Sequence, residues 1–339
     1  METASKSLSK SQFVRGIICP KSLYLHKHKF KKDEVKPQQQ AILDAGTRLG
    51  LLAQQVFPGG IEVPFEGMGH DEQVAMTARE IAAGREVIYE ATFKYDDMFV
   101  KADILRKTST GWEMYEVKGS NSIKDYYLHD ASVQYYVLTG AGLTVSKAAI
   151  MHLNREYVLQ GDLELKRLFA VEDLTGTVRA QQTFVREEVA RLRSMLDGPM
   201  PDVKIGPYCD DPYECDYHGH CWENVGNEEI DSVFQLNGKG VDRFALYNQG
   251  ITRMGDIPES MLNPRQLFQA RSTLQKKDHV HPERIRDFLA GLWYPLCYLD
   301  FETFMSAIPL FDNTRPFQQV PFQYSLHYRL SEDGPLEHD

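Results

Sequence analysis

Val87-Ile-Tyr-Glu-Ala-Thr-Phe-Lys-Tyr95, Met98-Phe-Val-Lys-Ala-Asp-Ile-Leu105 and Trp112-Glu-Met-Tyr-Glu-Val-Lys118 decide how this chain folds. Each run mixes apolar and polar residues close to a period of two, the pattern of a strand with one face buried. Asp96-Asp97 and residues 108–111 supply the turns, so the three runs form an antiparallel meander. Asp103 interrupts an otherwise apolar strand, and Glu116 and Lys118, two apart, share one side of the next. If those strands pair, two carboxylates and an ammonium meet at one spot. That set suits a hard divalent cation such as Mg²⁺ or Mn²⁺, with the lysine orienting water or offsetting phosphate charge.

Outward from the meander, helices are expected over residues 11–28, 38–56 and 70–83 before it. A helix over 125–138, an apolar strand over 145–153 and a charged amphipathic helix over 177–196 are expected after it. Helix, three strands, helix, strand is an α+β core with a mixed sheet. Residues 226–290 read as helical, with Leu236, Phe244, Leu246, Ile251 and Ile257 as spaced apolar positions.

The 339 residues are 42% hydrophobic and 25% charged, which excludes wholesale disorder and fibrous repeats. The longest apolar run, residues 288–299, contains a proline and is too short to span a bilayer. The polar N-terminus lacks the apolar stretch of a secretory signal, so a soluble cytoplasmic protein with reduced cysteines is expected. A net charge of −10 argues against indiscriminate coating of nucleic acid. Residues 1–36 are nevertheless basic, nine Lys/Arg against three Asp/Glu. Within them Lys21, Lys27, Lys29, Lys31 and Lys32 alternate with aromatic and histidine side chains, a candidate nucleic-acid-binding patch.

Cys209, Cys215 and Cys221 recur at equal spacing in a Pro- and Gly-containing stretch, and Cys19 lies far upstream. Three thiols in thirteen residues are seldom core filler; their x₅ and x₅ spacing is wider than the usual zinc knuckle and disfavours tetrahedral zinc without excluding it, and His218 and His220 could complete such a site. Cys297, in an apolar strand, reads as a buried small hydrophobe.

Asp103 followed by Glu116-Val-Lys118 on such a core resembles the PD-(D/E)XK nuclease superfamily, and the detail resembles its RecB-type branch. Gln134, in Asp130-Ala-Ser-Val-Gln-Tyr-Tyr-Val-Leu138, matches the glutamine of that branch's helix motif. The resemblance implies a restriction-endonuclease-like core in which Asp103 and Glu116 bind Mg²⁺ or Mn²⁺, Lys118 helps activate water and Gln134 positions the strand. Three departures stand out: Ala102 replaces the motif proline, Leu138 the motif tyrosine, and Gly46-Thr-Arg-Leu-Gly50 lacks the metal-binding histidine. A catalytically degenerate module that binds DNA ends is the alternative. Cys19 with the later cysteine triplet resembles the iron–sulfur nucleases of CRISPR adaptation and of AddB-type enzymes, which implies a [4Fe–4S] cluster on Cys19, Cys209, Cys215 and Cys221.

Leu299-Asp-Phe-Glu-Thr303 resembles the first motif of DEDD-type 3′–5′ exonucleases with an RNase H-like fold, making Asp300 and Glu302 second-site metal candidates. The chain ends 37 residues after Glu302, so an incomplete domain from a truncated chain is expected. The expected organisation is a nuclease domain over 1–225, a helical connector over 226–292 and the start of an RNase H-like α/β domain over 293–339. The expected partner is DNA, with RNA as the alternative, and no membrane.

Overall fold

The computed structural model describes residues 7–34 and 36–339; residues 1–6, part of the polar N-terminal segment, and Val35 lie outside them. The chain divides into two compact units. One holds the residues up to Val203 together with Met305–Gln318, the other Lys204–Phe304 with Gln319–Asp339.

The first unit opens with β1 (Leu8–Ser9), α1 (Lys10–Ile18), α2 (Pro20–Lys27), α3 (Pro37–Gln54), β2 (Ile61–Glu62) and α4 (His70–Ala82). The meander follows as β3 (Val87–Tyr95), β4 (Met98–Thr108) and β5 (Gly111–Lys118). Then come α5 (Asp125–Gly140), β6 (Val145–Leu153), α6 (Leu165–Leu168), β7 (Phe169–Asp173), α7 (Thr175–Ala180) and α8 (Gln182–Leu196). The sheet runs β2-β3-β4-β5-β6-β7, with β1 docked on β4. β3, β4 and β5 pair antiparallel, whereas β5 and β6 run parallel. Parallel neighbours need a crossover, which α5 provides. The result is a mixed α+β sheet flanked by helices.

The helix expected over 11–28 is corrected to two. Cys19 is extended (φ −151°, ψ 104°) between α1 and α2. Pro20 has no N–H and pushes its predecessor out of the helical region. The helix expected over 177–196 likewise divides, at Gln181. Ser9 caps α1, its side chain accepting from the Gln12 N–H while the Gln12 side chain returns to the Ser9 backbone.

One core joins the sheet to α1, α5 and α8 through Phe13, Ala91, Ala102, Met114, Val137 and Leu192. The other joins it to α3 through Leu49, Tyr89, Ile104, Tyr115 and Met151. Phe13 is fully buried, so Phe13→Ala is expected to cost about 3–5 kcal/mol, checked by urea unfolding. The cores also expose a fault in the strands. On the α1/α5 side lie Ile88 and Ala91 of β3, and Ala102 and Leu105 of β4, three apart on each strand rather than two. Tyr89 and Ile104 face the other side. Alternation therefore resets on both strands between the pairs Tyr89–Ile104 and Ala91–Ala102, at Glu90 and Asp103. Glu90 carries the reset in its backbone, at φ +54°. Such a conformation costs on the order of 1–3 kcal/mol in a non-glycine residue.

In the second unit, the helices expected over 226–290 are short pieces. After α9 (His218–Trp222) come α10 (Arg243–Asn248), α11 (Pro264–Gln275) and α12 (Pro282–Ala290), with 3-10 turns between them. A three-stranded sheet is formed by β8 (Leu296–Met305), β9 (Gln319–Arg329) and β10 (Glu337–His338), in the order β10-β9-β8. Cys297 is exposed, which corrects the expectation that it is buried. An apolar strand is buried only where both sheet faces are covered, and here Tyr298, Phe301, Phe322 and Tyr324 are exposed as well. No helix among the described residues is long and apolar enough to cross a membrane.

Candidate functional site

The site lies where the meander comes apart. β4 and β5 pair from Thr108–Gly111 as far as Ile104–Tyr115. Beyond that point β5 continues beside β6 alone, through Glu116–Ile150 to Lys118–His152. At the far end of β4, β1 pairs with Met98 and Phe99. Because β3 follows β4 along its other edge, β1 and β5 use the same edge and leave a gap between them. Backbone groups in such a gap need partners from elsewhere. Asp103 supplies one, its Oδ2 accepting the Val117 N–H at 2.7 Å.

Glu116, 3% exposed, is the hub. Its Oε1 receives two ammonium groups, Lys118 Nζ at 2.9 Å and Lys10 Nζ at 2.6 Å. Its Oε2 accepts from Gln134 Nε2 at 2.6 Å. Lys118 also pairs with Asp130 and stands 5.0 Å over the Tyr127 ring. Asp103, Glu116, Lys118 and Gln134 are thus brought together, and two partners absent from the sequence reading join them. Asp130 precedes Gln134 by four residues on α5, a spacing that places both on one helix face and was legible. Lys10 comes from 106 residues away and carries no local signal beyond its place after a capped serine.

Charge is distributed unevenly here. Burial and the neighbouring Glu116 push the Asp103 carboxyl up to about 7, against the pull of Lys10 and the Val117 N–H. Burial also works against ionised Glu116, but Lys10 and Lys118 outweigh it and hold that carboxyl well below its usual range. Both ammoniums are stabilised in turn: burial opposes their charge, and Glu116 with Asp130 more than compensates. Glu90 is raised by burial, with Lys101 and Lys10 opposing.

An unfolded aspartate ionises near 3.9, whereas folded Asp103 does so at about 7. Between those values the folded protein holds a proton that the unfolded chain has lost. The stabilisation from this group is therefore complete below about pH 4 and lost as pH rises to 7. Asp103→Asn keeps an acceptor for Val117 and removes the buried carboxylate. In EDTA it is expected to raise Tm at pH 8 and flatten the fall between about pH 4 and 7, read by thermal denaturation beside the wild type.

Gln134 Oε1 is buried and finds no donor among the described residues. Flipping the amide would turn that oxygen toward Glu116, so the orientation is fixed. Buried acceptors without donors are uncommon, and water on a cation held by Asp103 and Glu116 would supply one. Mg²⁺ needs only one or two carboxylates because it retains several waters. The pair therefore fits, although no group of three or more His, Cys, Asp or Glu placed to hold a metal occurs among the described residues.

The remaining sequence candidates lie elsewhere. Lys27 turns inward, its Nζ donating to the Ser7 carbonyl at 2.6 Å and to Gln12 Oε1 at 3.3 Å. Lys21 is half-buried on α2, and Lys29, Lys31 and Lys32 are exposed just after it. Asp300 and Glu302 are exposed on β8, with Asp300 Oδ1 accepting the Phe301 N–H. Cys19 stands between α1 and α2, its Sγ accepting the Ser22 N–H at 3.4 Å. In the second unit the Cys215 N–H returns to the Cys209 carbonyl at 2.8 Å, and Cys221 lies in α9. Burial pushes the Cys209 thiol up, with Cys215 adding to the effect. His218 stacks on Trp222 and approaches Asp210 at 3.6 Å. No disulfide joins the five cysteines.

A comparison with curated proteins finds no significant match. Among solved structures, the chain is similar to the crystal structure of LHK-Exo in complex with dAMP. Identity there is 11% and the TM-score 0.34, with 57% of this chain and 88% of that chain covered. Residues 297–339 match a family described as a domain of unknown function, DUF2779.

Proposed function

We propose that the first unit is a metal-dependent nuclease of PD-(D/E)XK type, with a restriction-endonuclease-like core, hydrolysing phosphodiester bonds in DNA. The observation that carries the reading is the convergence of Asp103, Glu116, Lys118 and Gln134 on the gap between β4 and β5. A divalent cation on Asp103 and Glu116 would supply a Lewis acid and a water of lowered pKa. The chain's own groups do the rest. Gln134 fixes the Glu116 carboxylate, and Asp130 fixes the Lys118 ammonium beside it. Lys118 stays protonated because its carboxylate partners hold it so; it acts as a donor to water or phosphate and not as the base.

The full chain, purified anaerobically, is expected to cleave end-labelled single- or double-stranded DNA in Mn²⁺ and to stop in EDTA. Lys118→Met is expected to lower the rate by about 10²-fold or more, the range of a lost transition-state donor. Unchanged cleavage overturns the assignment. Binding of DNA ends without turnover favours the degenerate reading, which the absence of a histidine from residues 46–50 of α3 supports.

We also propose a [4Fe–4S] cluster on Cys19, Cys209, Cys215 and Cys221, four thiolates being its usual ligand set. The turn that brings Cys215 back to Cys209 supports it. Asp300 and Glu302 remain candidates for the first carboxylates of a DEDD-type exonuclease site, supported by their i, i+2 spacing on β8.

A further inference from the structure

The Glu116 hub has one cation more than a nuclease site of this kind needs. Lys118 is tied on two sides, to Glu116 and to Asp130. Lys10 has one carboxylate partner, Glu116, and shares its Oε1 with Lys118. Oε2 accepts only from Gln134 and keeps a lone pair for a metal, which would then stand on the same carboxylate as both ammoniums. A divalent cation on this carboxylate would share it with two ammoniums, in a place where burial weakens screening. Repulsion favours the departure of one of the three positive groups, and Lys10 is the one held by a single carboxylate at ion-pair distance, with Asp103 and Asp130 acting on it from farther away.

The fold makes this departure easy. Lys10 is the first residue of α1, outside the part of the helix that Phe13 and Val14 anchor in the core. Its side chain is 21% exposed, so a swing of the flexible four-carbon stem carries the ammonium from the gap toward solvent. Nucleic acid entering to meet Asp103 and Glu116 brings phosphate oxygens to the same mouth. We infer that Lys10 is a resident counter-cation of Glu116 that a divalent metal displaces, and that the released ammonium then contacts a phosphate oxygen of the bound strand. The inference rests on the metal-nuclease reading and adds to it an exchange of one positive group for another.

Lys10→Met removes the charge and keeps the shape; Lys10→Arg keeps the charge. Mn²⁺ alone, titrated into each full-length protein and read by electron paramagnetic resonance, is expected to bind Lys10→Met at least about tenfold tighter than wild type. Lys10→Arg is expected to stay close to wild type. In Ca²⁺, binding of a single-stranded oligonucleotide is expected to show a salt dependence shallower by about one phosphate contact in Lys10→Met. In the wild type, amine labelling of Lys10 followed by mass spectrometry is expected to speed up when Mn²⁺ is added, a readout that needs no variant. Mn²⁺ bound equally by wild type and Lys10→Met, or labelling that slows on Mn²⁺ addition, overturns the exchange and leaves the nuclease reading intact. No Mn²⁺ binding by either protein overturns both.

Discussion

Glu116→Gln is expected to abolish Mn²⁺-dependent cleavage, by 10³-fold or more, and to destabilise the metal-free protein at the same time. The substitution keeps the size of the side chain and an acceptor for Gln134. It removes the one charge among the described residues that faces both Lys10 and Lys118 at hydrogen-bond distance. Breaking a buried pair on one side leaves the other charge uncompensated, at a cost of about 3–5 kcal/mol. Lys118 retains Asp130, which places the expected loss toward the lower end of that range. Urea unfolding in EDTA and a cleavage assay in Mn²⁺ on the same preparation read both effects. The double variant Glu116→Gln/Lys10→Met is expected to recover part of the stability and none of the activity. Cleavage surviving in Glu116→Gln would remove this carboxylate from the chemistry.

The second large effect concerns the thiols. Under the cluster proposal, Cys215→Ser is expected to yield colourless protein with far less bound iron and a much lower yield of folded chain. A structural metal contributes its binding free energy directly to folding. Cys297→Ser is the matched control, being an exposed thiol outside the proposed set; iron content and visible absorption should not change. Iron and sulfide analysis of anaerobic preparations decides the matter. Stoichiometric zinc in colourless wild-type protein would replace the cluster by a zinc site.

The meander was legible because its period and turns are local: β3 falls on residues 87–95 as the sequence predicts, and β5 ends at Lys118. Glu116-Val-Lys118 beside an intruding aspartate gave the carboxylates and one ammonium. Lys10 was hidden because it arrives through tertiary packing, when a two-residue strand docks on the end of β4. The break at Cys19 was written in Pro20, but the apolar spacing of residues 13–25 masks it. Cys297 misled because an apolar strand signals burial only if a second layer is present to cover it. Strict alternation also failed at one point, Glu90 and Asp103, where the sheet resets.

That reset divides the β3–β4 hairpin into two segments with a seam at the site. The tip, residues 91–102, carries β1 and, just beyond it, Lys10. The base is stitched to β5, which bears Glu116 and Lys118. Lys10 thus lies on one side of the seam and the Glu116–Lys118–Asp130 group on the other. The Lys10–Glu116 ion pair is therefore a clasp across the seam, joining the tip to the base through one side-chain contact.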